Sequence, residues 1–253
     1  MNDAAAVAIE FEDVQFHVAS GKVLLSGVSF SVRRGETLML LGRSGSGKTT
    51  CLKMINRLLV PTRGEIRVDG TPLEQWDAIK LRRSIGYAIQ EVGLFPHYTV
   101  RQNVALVPKL EKWGRPKIET RVTEVLDLVG LPGPEFADRY PHQLSGGQRQ
   151  PDALALAADP PILLMDEPFG ALDPITRAEL QMEFRKLQQK LGKTIVFVTH
   201  DVGEALLLGD RIGLMESGNL HGIYTPEEFL CATDAGVKAY VDVFRAGQQM
   251  FRK

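Results

Sequence analysis

The chain has 253 residues, 44% of them apolar and 24% charged, with a net charge of -1 at pH 7. That length buries a full core with room for a smaller lobe, and the composition excludes a disordered or fibrous chain. A charge this close to zero gives no basic field for nucleic acid. No apolar run approaches the ~20 residues needed to span a bilayer as a helix, so any membrane role is expected to pass through a partner. Cys51 and Cys231 lie far apart and match no metal-ligand spacing, which predicts free thiols in a reducing compartment. Met1 to Glu10 lacks the basic start and long apolar stretch of a secretory signal.

In chain order, Val7 to Val32 alternate apolar and polar positions around Ala19-Ser20-Gly21-Lys22, which predicts a β-hairpin. Thr37 to Leu41 is a short apolar strand running into a glycine-rich loop, and Thr49 to Leu59 has helical spacing. Further strands are predicted at Glu65 to Val68, Ile85 to Ile89, Ile162 to Met165, Thr194 to Val198 and Arg211 to Met215. Several are continuously apolar and separated by helical segments, the pattern of a sheet covered on both faces. Strand signals vanish between Val100 and Ala158, where Lys117 to Val129 reads as a helix, so a helical lobe is placed at about Gln90 to Asp159. Thr225-Pro226-Glu227-Glu228 begins a short helix with Thr as N-cap and Pro at its first position, and the tail to Lys253 is expected to be helical.

Three motifs carry chemistry. Gly42-Arg43-Ser44-Gly45-Ser46-Gly47-Lys48-Thr49, followed by Thr50, fits a phosphate-binding loop between a strand and a helix. Its glycines let backbone N–H groups close around phosphates, Lys48 reaches the β- and γ-phosphates, and Thr49 offers a hydroxyl to Mg2+. Ile162 to Met165 ends in Asp166-Glu167. Successive strand residues face opposite ways, which suits Asp166 to the Mg2+ shell and Glu167 to activating water. Finally, Leu144-Ser145-Gly146-Gly147-Gln148 can open a helix with exposed N–H groups that cap a γ-phosphate.

With these motifs in this order, together with Gln90 after a strand, Ala171-Leu172-Asp173, and His200 after the last core strand, the chain resembles the ABC ATPases over nearly its whole length. The resemblance implies an α/β fold: a P-loop NTPase core with a mixed sheet flanked by helices, an N-terminal antiparallel β subdomain and an inserted α-helical subdomain. One ABC ATPase domain would span 1–253, with 1–89 and 160–230 as the core including the β subdomain, 90–159 as the helical subdomain and 231–253 as a helical tail. It also implies ATP and Mg2+ as cofactors and a head-to-tail dimer in which Ser145, Gly146, Gly147 and Gln148 face the phosphate loop of a second copy. Gln90 would contact Mg2+ and sense the membrane partner, Asp173 would cross the dimer interface, and His200 would hold the γ-phosphate.

A narrower resemblance, to ATPase subunits of bacterial importers for glycine betaine, choline and related osmoprotectants, rests on Ile85 to His97 and Asp173-Pro174-Ile175-Thr176-Arg177. It implies an ATP-hydrolysing subunit at the cytoplasmic face of the inner membrane, peripheral to transmembrane permease subunits and served indirectly by a substrate-binding protein, with no role for nucleic acid. Leu94, Phe95 and Tyr98 are candidates for docking the permease. A soluble ABC protein of DNA repair or translation is the other class; it usually needs a coiled-coil insertion or two cassettes, and neither is visible.

Three features depart from the family pattern. Where an aromatic residue usually stacks on adenine, this chain offers Val18 after Phe16 and His17. About thirty residues follow Gly222, so regulation by C-terminal domains of the cystathionine-synthase type is not expected within this stretch. After Gln150, the stretch Pro151-Asp152-Ala153-Leu154-Ala155-Leu156-Ala157-Ala158 runs about two residues short of the family's helix. Proline inside a helix removes a donor and costs ~3 kcal/mol, which makes a catalytically impaired subunit the alternative expectation.

Overall fold

The computed structural model describes residues 6–88, 94–144, 156–170 and 172–250. Among them run β1 (Val7–His17), β2 (Val23–Arg33), β3 (Thr37–Leu41), β4 (Arg63–Val68), β5 (Thr71–Pro72), β6 (Ile85–Ala88), β7 (Ile162–Asp166), β8 (Thr194–Thr199), β9 (Arg211–Glu216) and β10 (Asn219–Tyr224). The chain divides into two compact units, Met1–Trp76 with Thr194–Lys253, and Asp77–Lys193.

In the first unit β1 and β2 form the expected hairpin, closed by hydrogen bonds from Val18 N to Lys22 O at 3.0 Å and from Gly21 N to Val18 O at 2.8 Å. β4 pairs with the other edge of β1 and β5 with β4, giving an antiparallel sheet of order β2-β1-β4-β5. Phe11 and Phe30, partners across the β1–β2 ladder, stack with centroids 4.3 Å apart. A second sheet is built around β3, which runs parallel to β8 on one side and β9 on the other, while β10 returns antiparallel to β9. Every residue of β3 and β8 is buried, as their unbroken apolar runs require of strands covered on both faces.

Helix Lys48–Ile55 leaves β3 through the glycine-rich loop. It ends four residues earlier than the spacing suggests. Arg57 takes a left-handed backbone, φ 49°, and Leu58 N and Leu59 N bond back to Lys53 O, so Leu58 and Leu59 close the helix instead of extending it. Helices Val202–Leu208, Pro226–Cys231 and Ala235–Met250 complete the unit. Thr225 and Glu228 form a reciprocal capping box, the outcome expected from Thr225-Pro226-Glu227-Glu228.

In the second unit β6 and β7 pair in parallel, from Ile85 opposite Ile162 to Ala88 opposite Met165. Helices Ala78–Ser84, Val100–Val104, Leu106–Leu110, Arg115–Leu128, Gly133–Phe136 and Pro174–Leu191 accompany them. Arg115–Leu128 begins two residues before the expected helix because Pro116 fits its first turn. The stretch assigned by sequence to a helical lobe, 90–159, falls inside this unit beside β6 and β7. No described helix is long and apolar enough to cross a membrane.

Candidate phosphate site

Leu41 pairs with Thr199, so Gly42 and His200 emerge together at the carboxyl ends of β3 and β8, the edge where open α/β sheets bind ligands. Arg43, Ser44 and Gly45 form an exposed crest, and the chain then turns into the helix at Gly47, whose φ of 106° suits glycine. Two close approaches fix this loop. A Cβ on Gly42 would lie 2.2 Å from Met215 O, and one on Gly47 would lie 2.6 Å from the Leu25 side chain. Gly42 therefore demands glycine for space, against main chain, and Gly47 for its backbone conformation as well.

Lys48 is the first residue of the helix and only 4% exposed. Its ammonium donates to Gly42 O at 2.7 Å and Arg43 O at 3.0 Å, curling under the crest. The Ser46 hydroxyl is buried with no hydrogen-bond partner. The loop opens a helix whose N-terminal end carries the positive side of the macrodipole, a setting that suits an anion. Thr49 and Thr50, in the first helical turn, are half-buried. His200 is exposed, and the next residue, Asp201, caps helix Val202–Leu208 by accepting from Glu204 N at 3.1 Å. Val18 sits half-buried at the end of β1, in the hairpin turn.

The two acids of the other motif lie in the second unit. Asp166 ends β7 at 7% exposure, and the Tyr87 hydroxyl donates to its Oδ2 at 3.4 Å. Burial, followed by the charge and hydrogen bond of Asp166, holds the Tyr87 phenol well above its ordinary range. Glu167 departs from the sequence argument, for it is no longer strand. Its backbone is left-handed, φ 48°, and Gly170 N bonds to its carbonyl at 3.0 Å, so a tight turn, not strand alternation, sets its direction relative to Asp166. For a residue with a Cβ that conformation costs ~1–2 kcal/mol.

Asp173 is exposed and caps the 18-residue helix Pro174–Leu191, accepting from Ile175 N and Thr176 N at 3.1 Å each. Its carboxyl lies below the usual range, chiefly through the Thr176 side chain. Beside it Ile175 is 73% exposed. Of the docking candidates Phe95 is exposed and Tyr98 half-buried, whereas Leu94 belongs to the core at 7% exposure. Gln90, Ser145, Gly146, Gly147 and Gln148, and the segment from Pro151 to Ala155, lie outside the described residues.

Sequence reasoning passed over Tyr87, Asn103 and the Met215 wall. Asn103 is fully buried and spans the loop after Leu94: its Oδ1 accepts from Phe95 N at 2.7 Å, and its Nδ2 donates to the carbonyls of Phe95, Tyr98 and Thr99. An Asn in the first turn after Thr99 could have signalled a loop clamp. Nothing local announces that Met215 meets Gly42.

The profile of the ABC transporter family matches residues 25–170, more than half of the chain. Glycine betaine/carnitine/choline transport ATP-binding protein OpuCA of Bacillus subtilis is 52% identical over 224 residues, which cover 88% of this chain and 59% of that relative; the chain thus spans about three fifths of the relative's length. A bacterial ABC transporter cassette solved as a dimer superposes with a TM-score of 0.76 at 35% identity, covering 86% of this chain and 98% of that one. A cassette solved in a post-hydrolysis state bound to ADP and Pi gives the same TM-score and coverage at 34% identity. With its phosphate loop, buried lysine and acid-ended strand, this chain belongs to the ABC transporter family, among the ATP-binding cassettes.

Proposed function

We propose that this chain is the ATP-binding and ATP-hydrolysing subunit of a bacterial importer of osmoprotectants such as quaternary amines, working against separate membrane subunits. The observation that carries the reading is the buried Lys48 ammonium under a loop that admits only glycine at Gly42 and Gly47, beside the unpartnered Ser46 hydroxyl. The substrate class follows from 52% identity to a relative named for glycine betaine, carnitine and choline transport.

The loop from Gly42 to Thr50 binds the phosphates through its N–H groups and Lys48, and Val18 lies under the base in place of an aromatic ring. The Thr49 hydroxyl and Asp166 carboxylate are hard oxygen donors that fit Mg2+, with Gln90 a third. Mg2+, when bound, neutralises charge on the phosphate oxygens. Glu167 accepts a proton from the attacking water and His200 hydrogen-bonds the γ-phosphate. In the dimer Ser145, Gly146, Gly147 and Gln148 of one copy reach the nucleotide on the other and Asp173 lies at the interface; the dimeric cassette among the structural neighbours supports that assembly. Residues 90–159 form the helical subdomain and meet the permease, with a substrate-binding protein delivering cargo, and the complex sits on the cytoplasmic face of the inner membrane.

Two assays test this. Purified chain is titrated with ATP and Mg2+ and its turnover measured, and uptake of glycine betaine at high osmolarity is compared in cells with and without the gene. Absence of ATP binding refutes the nucleotide reading; unchanged uptake in a strain lacking other betaine importers refutes the substrate class. The sequence around Pro151 favours a second reading, a subunit that binds ATP but hydrolyses it slowly. Replacing Pro151 with Arg and restoring two residues of Ala-Leu helix would then raise turnover at least ~10-fold.

A further inference from the structure

We propose that the turn joining β9 and β10 is a brace that sets the shape of the phosphate loop, and that Gly218 is its positioning residue. The inference rests on the nucleotide reading above.

The turn touches the loop from a sequence distance of about 170 residues. Gly218 N donates to Ser46 O at 3.1 Å, and Gly218 O accepts from Ser26 N at 2.9 Å, so the main chain of one residue ties the phosphate loop to β2. Ser217 and Gly218 both have left-handed backbones, φ 49° and 81°. A Cβ on Gly218 would lie 2.7 Å from Leu24 O and 3.1 Å from Leu24 C. Those neighbours are main chain inside a paired strand and cannot swing aside as a side chain would. Any larger residue at 218 must push the turn outward, away from β2, and carry the N–H away from Ser46 O.

The same wall presses the loop at both ends. Met215, three residues before Gly218, sets the limit at Gly42 through its carbonyl, and its Cε would lie 3.4 Å from a Cβ on Gly47. Leu24 O would lie 3.1 Å from that same Cβ. The phosphate loop is thus seated between the end of β9 and the main chain of β2, and Gly218 joins the two jaws. Neither Met215 nor Gly218 has a side chain positioned to bind phosphate. Their part is to hold the Ser46 peptide so that the N–H groups around it converge when an anion arrives.

Loosening the brace should act as a tax on binding. The loop would occupy its binding-competent shape for a smaller fraction of the time, raising the apparent Kd by the inverse of that fraction. Once phosphate has restored the shape, the chemical step proceeds as before.

The test compares Gly218→Ala with Gly70→Ala. Gly70 sits in a turn of the same unit with φ 74°, and a Cβ there meets nothing within 4 Å, so it reproduces the backbone penalty without the brace. The expected result for Gly218→Ala is an ATP Kd raised about tenfold, kcat at saturating ATP changed by less than about threefold, and faster amide exchange over residues 43–47. Gly70→Ala should lose similar thermal stability and keep the wild-type Kd. If Gly218→Ala does not fold, a single glycine inserted between Ser217 and Gly218 breaks the register without adding a side chain and should raise Kd likewise. Equal Kd values for Gly218→Ala and Gly70→Ala, or an unchanged Kd on insertion, overturn the brace. Failure of the wild-type chain to bind ATP would be a different result, removing the nucleotide reading itself.

Discussion

Replacing Lys48 with Met separates folding from binding, because the two effects of the ammonium have different opponents. In the free protein the buried charge, 4% exposed, makes hydrogen bonds of 2.7 and 3.0 Å to Gly42 O and Arg43 O. Each such bond to a charged donor contributes ~1.5–3 kcal/mol, and desolvating the ammonium costs several kcal/mol, two opposed quantities of similar size. Methionine fills the same volume without the charge. The free protein should therefore change stability by no more than about 1 kcal/mol, a shift of ~2–4 °C in Tm. With nucleotide bound nothing cancels: the phosphates lose a point charge, and ATP affinity should fall at least ~100-fold, or ~2.7 kcal/mol. Thermal denaturation of the free protein and an equilibrium titration with ATP measure the two quantities independently. An unchanged Kd, or a Tm loss above about 8 °C that accounts for the weak binding, refutes the reasoning.

Glu167→Gln should keep ATP binding while slowing turnover by roughly 100-fold, and a variant hydrolysing at the wild-type rate would exclude Glu167 as the base. Glu167→Gly, at a left-handed position, should raise stability by ~0.5–1 kcal/mol while abolishing turnover, read by urea denaturation. Asn103→Asp places a carboxylate oxygen against three carbonyls and should cost about 3 kcal/mol, seen as a lower denaturation midpoint. Burial pushes the Cys51 thiol up to about 12, from an ordinary 9.0. Above pH 9 the unfolded chain releases this proton and the native one keeps it, so stability falls by up to ~1.4 kcal/mol per pH unit between pH 9 and 12, and Cys51→Ala should remove that slope. Native protein at pH 8 should react with a thiol reagent once, at the exposed Cys231.

Some of this protein was legible in its sequence because the signals were local. Alternation at period two gave β1 and β2 and their turn at Gly21, unbroken apolar runs gave β3, β7 and β8, and Thr225 with Glu228 marked its own helix start. The glycine-rich loop was legible for the same reason: its spacing matches a turn between a strand and a helix, which is where β3 and Lys48–Ile55 place it, whatever lies behind it. Nothing local reported what lies behind it. Gly42 is small because Met215 O, 173 residues on, would meet a Cβ, and Gly47 because Leu25 stands against it. Likewise Leu94 and Phe95 are adjacent apolar residues with opposite fates, one core and one exposed, decided by packing in the second unit. Glu167 looked like the next residue of a strand until a turn took it into the left-handed region. Propensity and periodicity act over a few residues, so the sequence by itself determined the segments and the chemistry they carry. Steric exclusion between distant segments decided where each loop is seated, and only the tertiary structure places those segments side by side.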